Sequence, residues 1–313
     1  MATVRDAHVD PELLPLLEGF PDIPLNAETL PGFRAAMVDM AVLPDPATHP
    51  GVTIEEVSVP GPDGALRCLL FRPADGAAKG ALLHVHGGGG VMGLPEMDAL
   101  RNVALVEATG CVILSPDYRL APEHPHPAAL EDCHSAGAWL ASQAGQFGFP
   151  PERLGVIGES AGGGFAAALA LLARDRGSIS FACQVLIYPM LASPGAEAAA
   201  THADNRIGRH IWNRDADGFA WGCMLGASTG DAVMPPAAAA DLAGLPPAFI
   251  AVGELDLFVH DDLAYASRLL AAGISTEAHL YPGAFHGFDR MGEAAVSQRF
   301  NADLLDFLKR HLG

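Results

Sequence analysis

Residues 154–165 read Leu-Gly-Val-Ile-Gly-Glu-Ser-Ala-Gly-Gly-Gly-Phe. Leu154–Ile157 is a short apolar run of strand composition, and from Ala161 to Arg174 small and apolar residues continue in a helical pattern. Between them stands Gly158-Glu159-Ser160-Ala161-Gly162, a G-x-S-x-G pattern on a strand-to-helix turn. A serine on so tight a turn exposes its hydroxyl, and small residues two positions to either side let the neighbouring chains pass. Gly158 and Gly162 meet that need. Ser160 also stands at a helix N-terminus, where the dipole favours developing negative charge. The competing reading is a glycine-rich turn without chemistry; the flanking strand and helix favour a nucleophile.

Outward from this turn, strands and helices alternate. Strands are expected at Ala81–Val85, Cys111–Ser115, Cys183–Tyr188, Ala248–Val252 and Thr276–Tyr281. Helical stretches fall between and after them, at about Asp98–Thr109, Ala128–Gln143, Asp261–Ala272 and Ala294–His311. That rhythm predicts an α/β fold, with a mostly parallel sheet covered by helices on both faces. Gly273 sits where a helix C-cap glycine belongs. Before the alternation, Val52–Val59 and Leu66–Phe71 flank Asp63-Gly64 and predict an antiparallel hairpin. Residues 1–50 are Pro-rich, with short helical patterns at Leu13–Leu17 and Leu30–Met40. They are read as a helical flap on the main body, residues 51–313. The rhythm fails again between about 190 and 242, where an insertion holds a helix at Asp215–Leu225. A long insertion after a strand is often a lid, and with the first fifty residues it would form a cap.

The 313 residues suit one large domain, and the apolar half of the composition is enough for a sizeable core. No apolar run reaches the roughly 18 uncharged residues that span a bilayer. Met1–Asp10 carries Arg5, Asp6 and Asp10 and no apolar stretch, so no secretory leader is expected. With 37 acidic against 18 basic residues the net charge is −19. Such a surface repels nucleic acid and anionic membrane and disfavours polyanionic substrates. The five cysteines, Cys68, Cys111, Cys133, Cys183 and Cys223, are odd in number and contain no CxxC. They predict core thiols and a reducing, cytoplasmic setting rather than disulfides or zinc.

A serine needs a base. His286, in Tyr281-Pro-Gly-Ala-Phe-His-Gly-Phe288, follows the last strand on a loop with Gly283 and Gly287. From there it can reach over the carboxyl edge of the sheet, where sites in open α/β sheets form. The base needs an orienting carboxylate, and Asp256, just past the Ala248–Val252 strand, is the choice; Glu254 is second, and Asp261 and Asp262 read as helix-capping or surface groups. The order Ser160, Asp256, His286 matches a nucleophile–acid–base triad. His86-Gly87-Gly88-Gly89-Gly90 follows Ala81–Val85, and its unobstructed N–H groups can point at one oxygen, as an oxyanion requires. A phosphate-binding loop is the rival, but no G-K-[ST] follows. His84 with His86, and His124 with His126, could suggest a metal, yet no acidic or Cys partner stands at ligand spacing, so no metal or other cofactor is expected.

Taken together, these residues resemble the bacterial hormone-sensitive-lipase family of carboxylesterases. The likeness runs from about Val52 to the end of the sequence. It includes the His86–Gly89 box, Asp117-Tyr118-Arg119-Leu120-Ala121-Pro122-Glu123, the turn Gly158–Gly163, Gly253–Asp256 and Phe285-His286-Gly287-Phe288. The resemblance implies an α/β-hydrolase fold with an eight-stranded sheet and a helical cap. It implies that Gly88, Gly89 and Ala161 donate N–H groups to the oxyanion and that His86 organises its loop. Esters of short to medium acyl chains are the implied substrates, and the enzyme is expected as a monomer or homodimer. The rivals are an amidase or other acyl hydrolase with the same triad and a non-catalytic ligand receptor on this fold; look-alike receptors have lost the base, whereas His286 is present.

Two departures stand out. Glu159 replaces the Asp or Thr usual before the serine, and Gly90 replaces an aromatic residue, which predicts more room near the acyl or alcohol pocket. Leu13, Leu17, Phe20, Trp212, Phe219 and Trp221 are expected to line that pocket, and Arg119 to pair with Asp117 or Glu123.

Overall fold

In the computed structural model, which describes residues 7–19, 23–76, 78–193, 206–226 and 234–313, the strand-like runs join one eight-stranded sheet. The strands are β1 (Val52–Gly61), β2 (Gly64–Pro73), β3 (Ala81–Val85), β4 (Val112–Pro116), β5 (Leu154–Glu159), β6 (Cys183–Ile187), β7 (Ala248–Gly253) and β8 (Thr276–Tyr281). Their order is β1-β2-β4-β3-β5-β6-β7-β8. Strand β2 runs antiparallel to both of its neighbours, and every other pair is parallel. Both arms of the hairpin are longer than composition suggested, because pairing continues to Gly61 opposite Gly64.

Strands β3 to β7 are buried throughout, which explains their nearly unbroken apolar sequences. Successive side chains serve opposite faces. Ala81, Leu83 and Val85 of β3 enter one core, while Leu82 enters the other. The first core lies under α4 (Ala128–Ser142), α5 (Ala161–Arg176) and most of α7 (Val259–Ala271). The second lies under α3 (Ala99–Thr109) and α8 (Ala295–Leu312). Helix α8 buries Val296, Phe300, Leu304, Phe307, Leu308 and Leu312, a stripe at helical spacing. Gly273, left-handed at φ 81°, ends α7 as the sequence suggested. Its N–H bonds the Leu270 carbonyl, and the Ile274 N–H bonds that of Leu269.

The segment before β1 contains α1 (Leu14–Glu18) and α2 (Leu30–Met40). The Asp10 N–H donates to the Gly283 carbonyl at 2.9 Å, and the Glu12 carboxylate accepts from the Ala295 N–H at 2.6 Å. Arg34 of α2 donates to the carbonyls of Val91 and Ala121 and forks onto Glu123. Beyond β6, α6 (Arg214–Leu225) is capped by Asn213, which accepts from the Ala216 N–H. Phe20 and the alanine run Ala198–Ala200 lie outside the described residues. No helix among the described residues is long and apolar enough to cross a membrane.

Candidate active site

Ser160 stands between β5 and α5, as the N-cap of the helix, with φ 57° and ψ −122°. A non-glycine residue in this region carries about 1–3 kcal/mol of strain and needs its surroundings to hold it. They do so through its own backbone. The Ser160 N–H donates to Ile187 O at 2.9 Å, and its carbonyl accepts from Gly164 and Met190. The glycines serve close approach: a Cβ on Gly162 would lie 2.0 Å from the Val85 carbonyl oxygen, and one on Gly158 2.3 Å from that of Gly162.

His286 follows β8 and meets both partners the sequence suggested. Its Nε2 is 2.9 Å from Ser160 Oγ, and its Nδ1 is 2.8 Å from Asp256 Oδ2. Asp256 is fully buried, and its other oxygen accepts from the Phe258 N–H at 3.0 Å. A carboxylate only accepts, so Nδ1 carries the proton and Nε2 is left to take one from the serine. The imidazole is held by Tyr188, Phe258 and Trp212, with ring centroids 4.7, 5.4 and 6.2 Å away. Glu254, the second choice, instead accepts from the Gly283 N–H at 3.1 Å, on the loop that carries His286.

The glycine loop lies against the elbow: a Cβ on Gly87 would stand 3.5 Å from Ser160 Cβ. Gly88 and Gly89 have φ 111° and 64°. Among the described residues their N–H groups donate to no other backbone carbonyl, so they are available to an added oxygen, as is the N–H of Ala161 in the first turn of α5. His86 Nδ1 donates to the Gly87 carbonyl, and the ring stacks on Tyr118 at 4.1 Å. Burial holds the His86 pKa below the usual histidine range, and nothing brings this ring to Ser160.

Four expectations need correction. Gly90 does not open extra room. A Cβ there would lie 2.3 Å from Met224 Sδ and 3.3 Å from Phe165, so Met224 of α6 fills the space that an aromatic residue would take. Arg119 pairs with Asp132 of α4 and with Asp63 at the hairpin turn; Asp117 binds Arg67 and Glu123 binds Arg34. Asp262 is not on the surface but fully buried in α7, and among the described residues neither carboxylate oxygen has a hydrogen-bond partner. Finally, His84 does have acidic neighbours. His84, Asp98 and Glu159 offer ligand atoms within 4.8 Å of one another, the one such group among the described residues. Arg101 pairs with Glu159 and Arg290 with Asp98, so guanidinium groups supply the positive charge that these carboxylates face.

Of the expected pocket lining, Trp212 stands against both His286 and the glycine loop, its ring 2.5 Å from a Cβ built on Gly89. Trp221 is buried in the first core, where Phe219 packs against it. Leu13 is buried in the second core, with Leu17 against it.

The Trp212 indole N–H donates to Asp217 of α6 at 3.2 Å. Burial pushes the Asp217 carboxyl up to about 7, with Asp261 and Asp256 adding to the rise and the Trp212 hydrogen bond opposing it. An unfolded aspartate titrates near ~4. The native state therefore binds this proton more tightly, and Asp217 lowers stability progressively as pH rises from about 4 through 7. Asp217→Asn keeps the acceptor for Trp212. Urea unfolding at pH 5 and pH 8 is expected to show a stability gain for the variant that is larger at pH 8; an equal gain at both would refute the shift.

Comparison with known proteins agrees with this geometry. A family described as having the α/β-hydrolase fold matches residues 82–290. The esterase LipI of Mycobacterium tuberculosis is 34% identical over 299 residues, covering 92% of this chain and 89% of that protein. The carboxylesterase NlhH of the same species is 35% identical, covering 91% and 90%. Among solved structures, a bacterial heroin esterase superposes with a TM-score of 0.90 at 33% identity, over 98% of this chain and 99% of that one.

Proposed function

Because the chain belongs to the bacterial hormone-sensitive-lipase family of α/β-hydrolases and is a carboxylic ester hydrolase, we propose that it cleaves esters of short to medium acyl chains through a covalent acyl-enzyme on Ser160. The observation that carries this reading is the continuous hydrogen-bond chain from Ser160 Oγ through His286 to Asp256.

Ser160 Oγ attacks the ester carbonyl while His286 Nε2 takes its proton, and the carbonyl oxygen becomes an oxyanion facing the N–H groups of Gly88, Gly89 and Ala161. Asp256 keeps the Nδ1 tautomer and stabilises the imidazolium. Collapse of the tetrahedral intermediate breaks the bond to the alkoxy oxygen, which leaves as the alcohol with the proton from Nε2. Water, deprotonated by the same nitrogen, then attacks the acyl-enzyme, and the second tetrahedral intermediate collapses to the acid as Ser160 Oγ leaves and recovers its proton from Nε2. His86 and Gly87 shape the loop; Gly158, Glu159 and Gly162 shape the elbow. No cofactor enters these steps.

The crowding of Gly89 by Trp212 and of Gly90 by Met224 supports short acyl groups. We read α2 and α6 as parts of a cap over this pocket, since Arg34 and Met224 reach the glycine loop and its neighbours. Five unpaired cysteines and the acidic charge support a cytoplasmic enzyme whose partner is the ester itself, not nucleic acid or membrane. A monomer or homodimer fits this reading.

The test is the rate of p-nitrophenyl ester hydrolysis from acetate to palmitate, with p-nitroanilides for comparison, alongside mass mapping after a p-nitrophenyl phosphonate. Rates should peak at short or medium chains and be far lower for amides, and one phosphonyl group should map to the peptide holding Ser160. A maximum at palmitate, amides turned over as fast as esters, or labelling elsewhere would overturn the reading.

A further inference from the structure

Ser160 and His286 stand 126 positions apart, and one direct side-chain hydrogen bond joins them. The proposed reaction breaks and remakes that bond in every turnover, so their spacing has to be set by something else. A second, buried connection runs beneath it. Glu159 precedes the nucleophile and Asp289 follows the base by three residues. Arg101, from α3, donates through Nη1 to Glu159 Oε1 at 2.8 Å and pairs through Nη2 with Asp289. Asp289 also accepts from the Tyr188 hydroxyl at 2.6 Å. Tyr188 packs on the His286 ring, and it follows Ile187, whose carbonyl holds the Ser160 N–H. The path thus closes on itself from elbow to base.

Charges within this group match. Glu159, Asp98 and Asp289 face Arg101, Arg290 and His84. His84 bonds Glu159 Oε2 through Nε2 at 3.0 Å and Ser115 Oγ through Nδ1 at 2.9 Å. Burial opposes the protonated form of His84, but the Glu159 carboxylate outweighs it and raises the pKa. Glu159 is only 1% exposed. Buried ion pairs of this kind add little to stability relative to apolar packing of the same volume; what a guanidinium fork adds is a fixed geometry between two carboxylates.

We infer that Arg101 is a positioning residue for the ester hydrolysis, its guanidinium bridging Glu159 and Asp289 and so setting the spacing of Ser160 and His286. The inference rests on the proposed roles of those two residues. Arg101→Lys keeps the charge but offers a single ammonium that does not span both carboxylates. Asp289→Asn removes the ion pair from the other side, keeps an acceptor for Tyr188, and serves as well if the lysine variant does not fold.

Hydrolysis of p-nitrophenyl butyrate is measured well below each variant's unfolding midpoint, with competent sites counted by complete phosphonate labelling. The expected result is a kcat about 10- to 100-fold lower per labelled site, with KM within about threefold, since a misplacement near 1 Å costs on that order. A kcat within twofold of wild type in either folded variant, whatever the change in unfolding midpoint, would overturn the inference. The Ser160→Ala protein separates the two levels: if it is inactive while these variants are normal, only Arg101's role falls. If it retains activity, the reading of the site falls and this inference with it.

Discussion

Ser160→Ala is expected to lower ester hydrolysis by at least about 10⁴-fold while leaving the fold intact. The change removes one oxygen and its bond to His286 Nε2, and little else. Alanine keeps the Cβ, so the backbone remains at φ 57° and the contacts with Ile187, Gly164 and Met190 persist. Residual rate would come from the N–H groups of the glycine loop and from binding alone. Ser160→Gly is predicted to be just as inactive but more stable than Ser160→Ala, because glycine adopts positive φ without the strain of about 1–3 kcal/mol. Steady-state rates and urea unfolding of both variants check the pair. More than about one hundredth of wild-type activity in either would contradict the nucleophile assignment, and a glycine variant no more stable than the alanine one would contradict the strain.

The second large effect concerns shape. Gly162→Ala is expected to cost about 4 kcal/mol or more, and to leave the protein insoluble or its unfolding midpoint lower by on the order of 10 °C. The added methyl would lie 2.0 Å from the Val85 oxygen and 2.5 Å from the His86 oxygen. Both are backbone atoms of β3 and its loop, so no flexible side chain can yield, and α5 has to move away from the sheet. That shift carries the elbow with it, and activity in any soluble fraction should fall about 10²-fold or more. Gly222→Ala is the control. Among the described residues nothing lies within 4 Å of its added methyl on the exposed face of α6, and helix propensity predicts a gain of up to about 1 kcal/mol. Circular dichroism melts of the two variants settle the contrast; a Gly162→Ala protein that melts with wild type would show that the elbow has slack.

Much of this was readable in the sequence because a sheet buried on both faces writes itself as apolar runs, and because an elbow needs small residues at fixed offsets. The strand at Thr276–Tyr281 was read with the bounds observed, and β4 slipped by one residue, since Cys111 and Val112 are equally apolar. What escaped depends on which distant side chain arrives. Nothing near Gly90 announces that Met224 fills its space. Arg119 has acids on both sides in sequence, yet it binds Asp132 on the next helix and Asp63 on the hairpin. Arg101 and Asp289 look like ordinary helix and loop charges until the fold brings them together. Asp262 was detectable: Val259, Asp262, Ala266 and Leu269 fall on one helical stripe, and that stripe is the buried one.

The docking of residues 10–13 has a consequence for how the chain is made. The Glu12 carboxylate holds the Ala295 N–H across 283 positions, and Asp10 holds Gly283. Closing contacts of that span carries a loop-entropy cost, and long-range pairing slows folding. During synthesis residues 10–13 are made well before their partners, and these contacts form only after Gly283 and Ala295 have been added. Ser160 is likewise made 126 positions before His286, so the chain of hydrogen bonds from Ser160 through His286 to Asp256 closes only once the segment beyond β8 has been added.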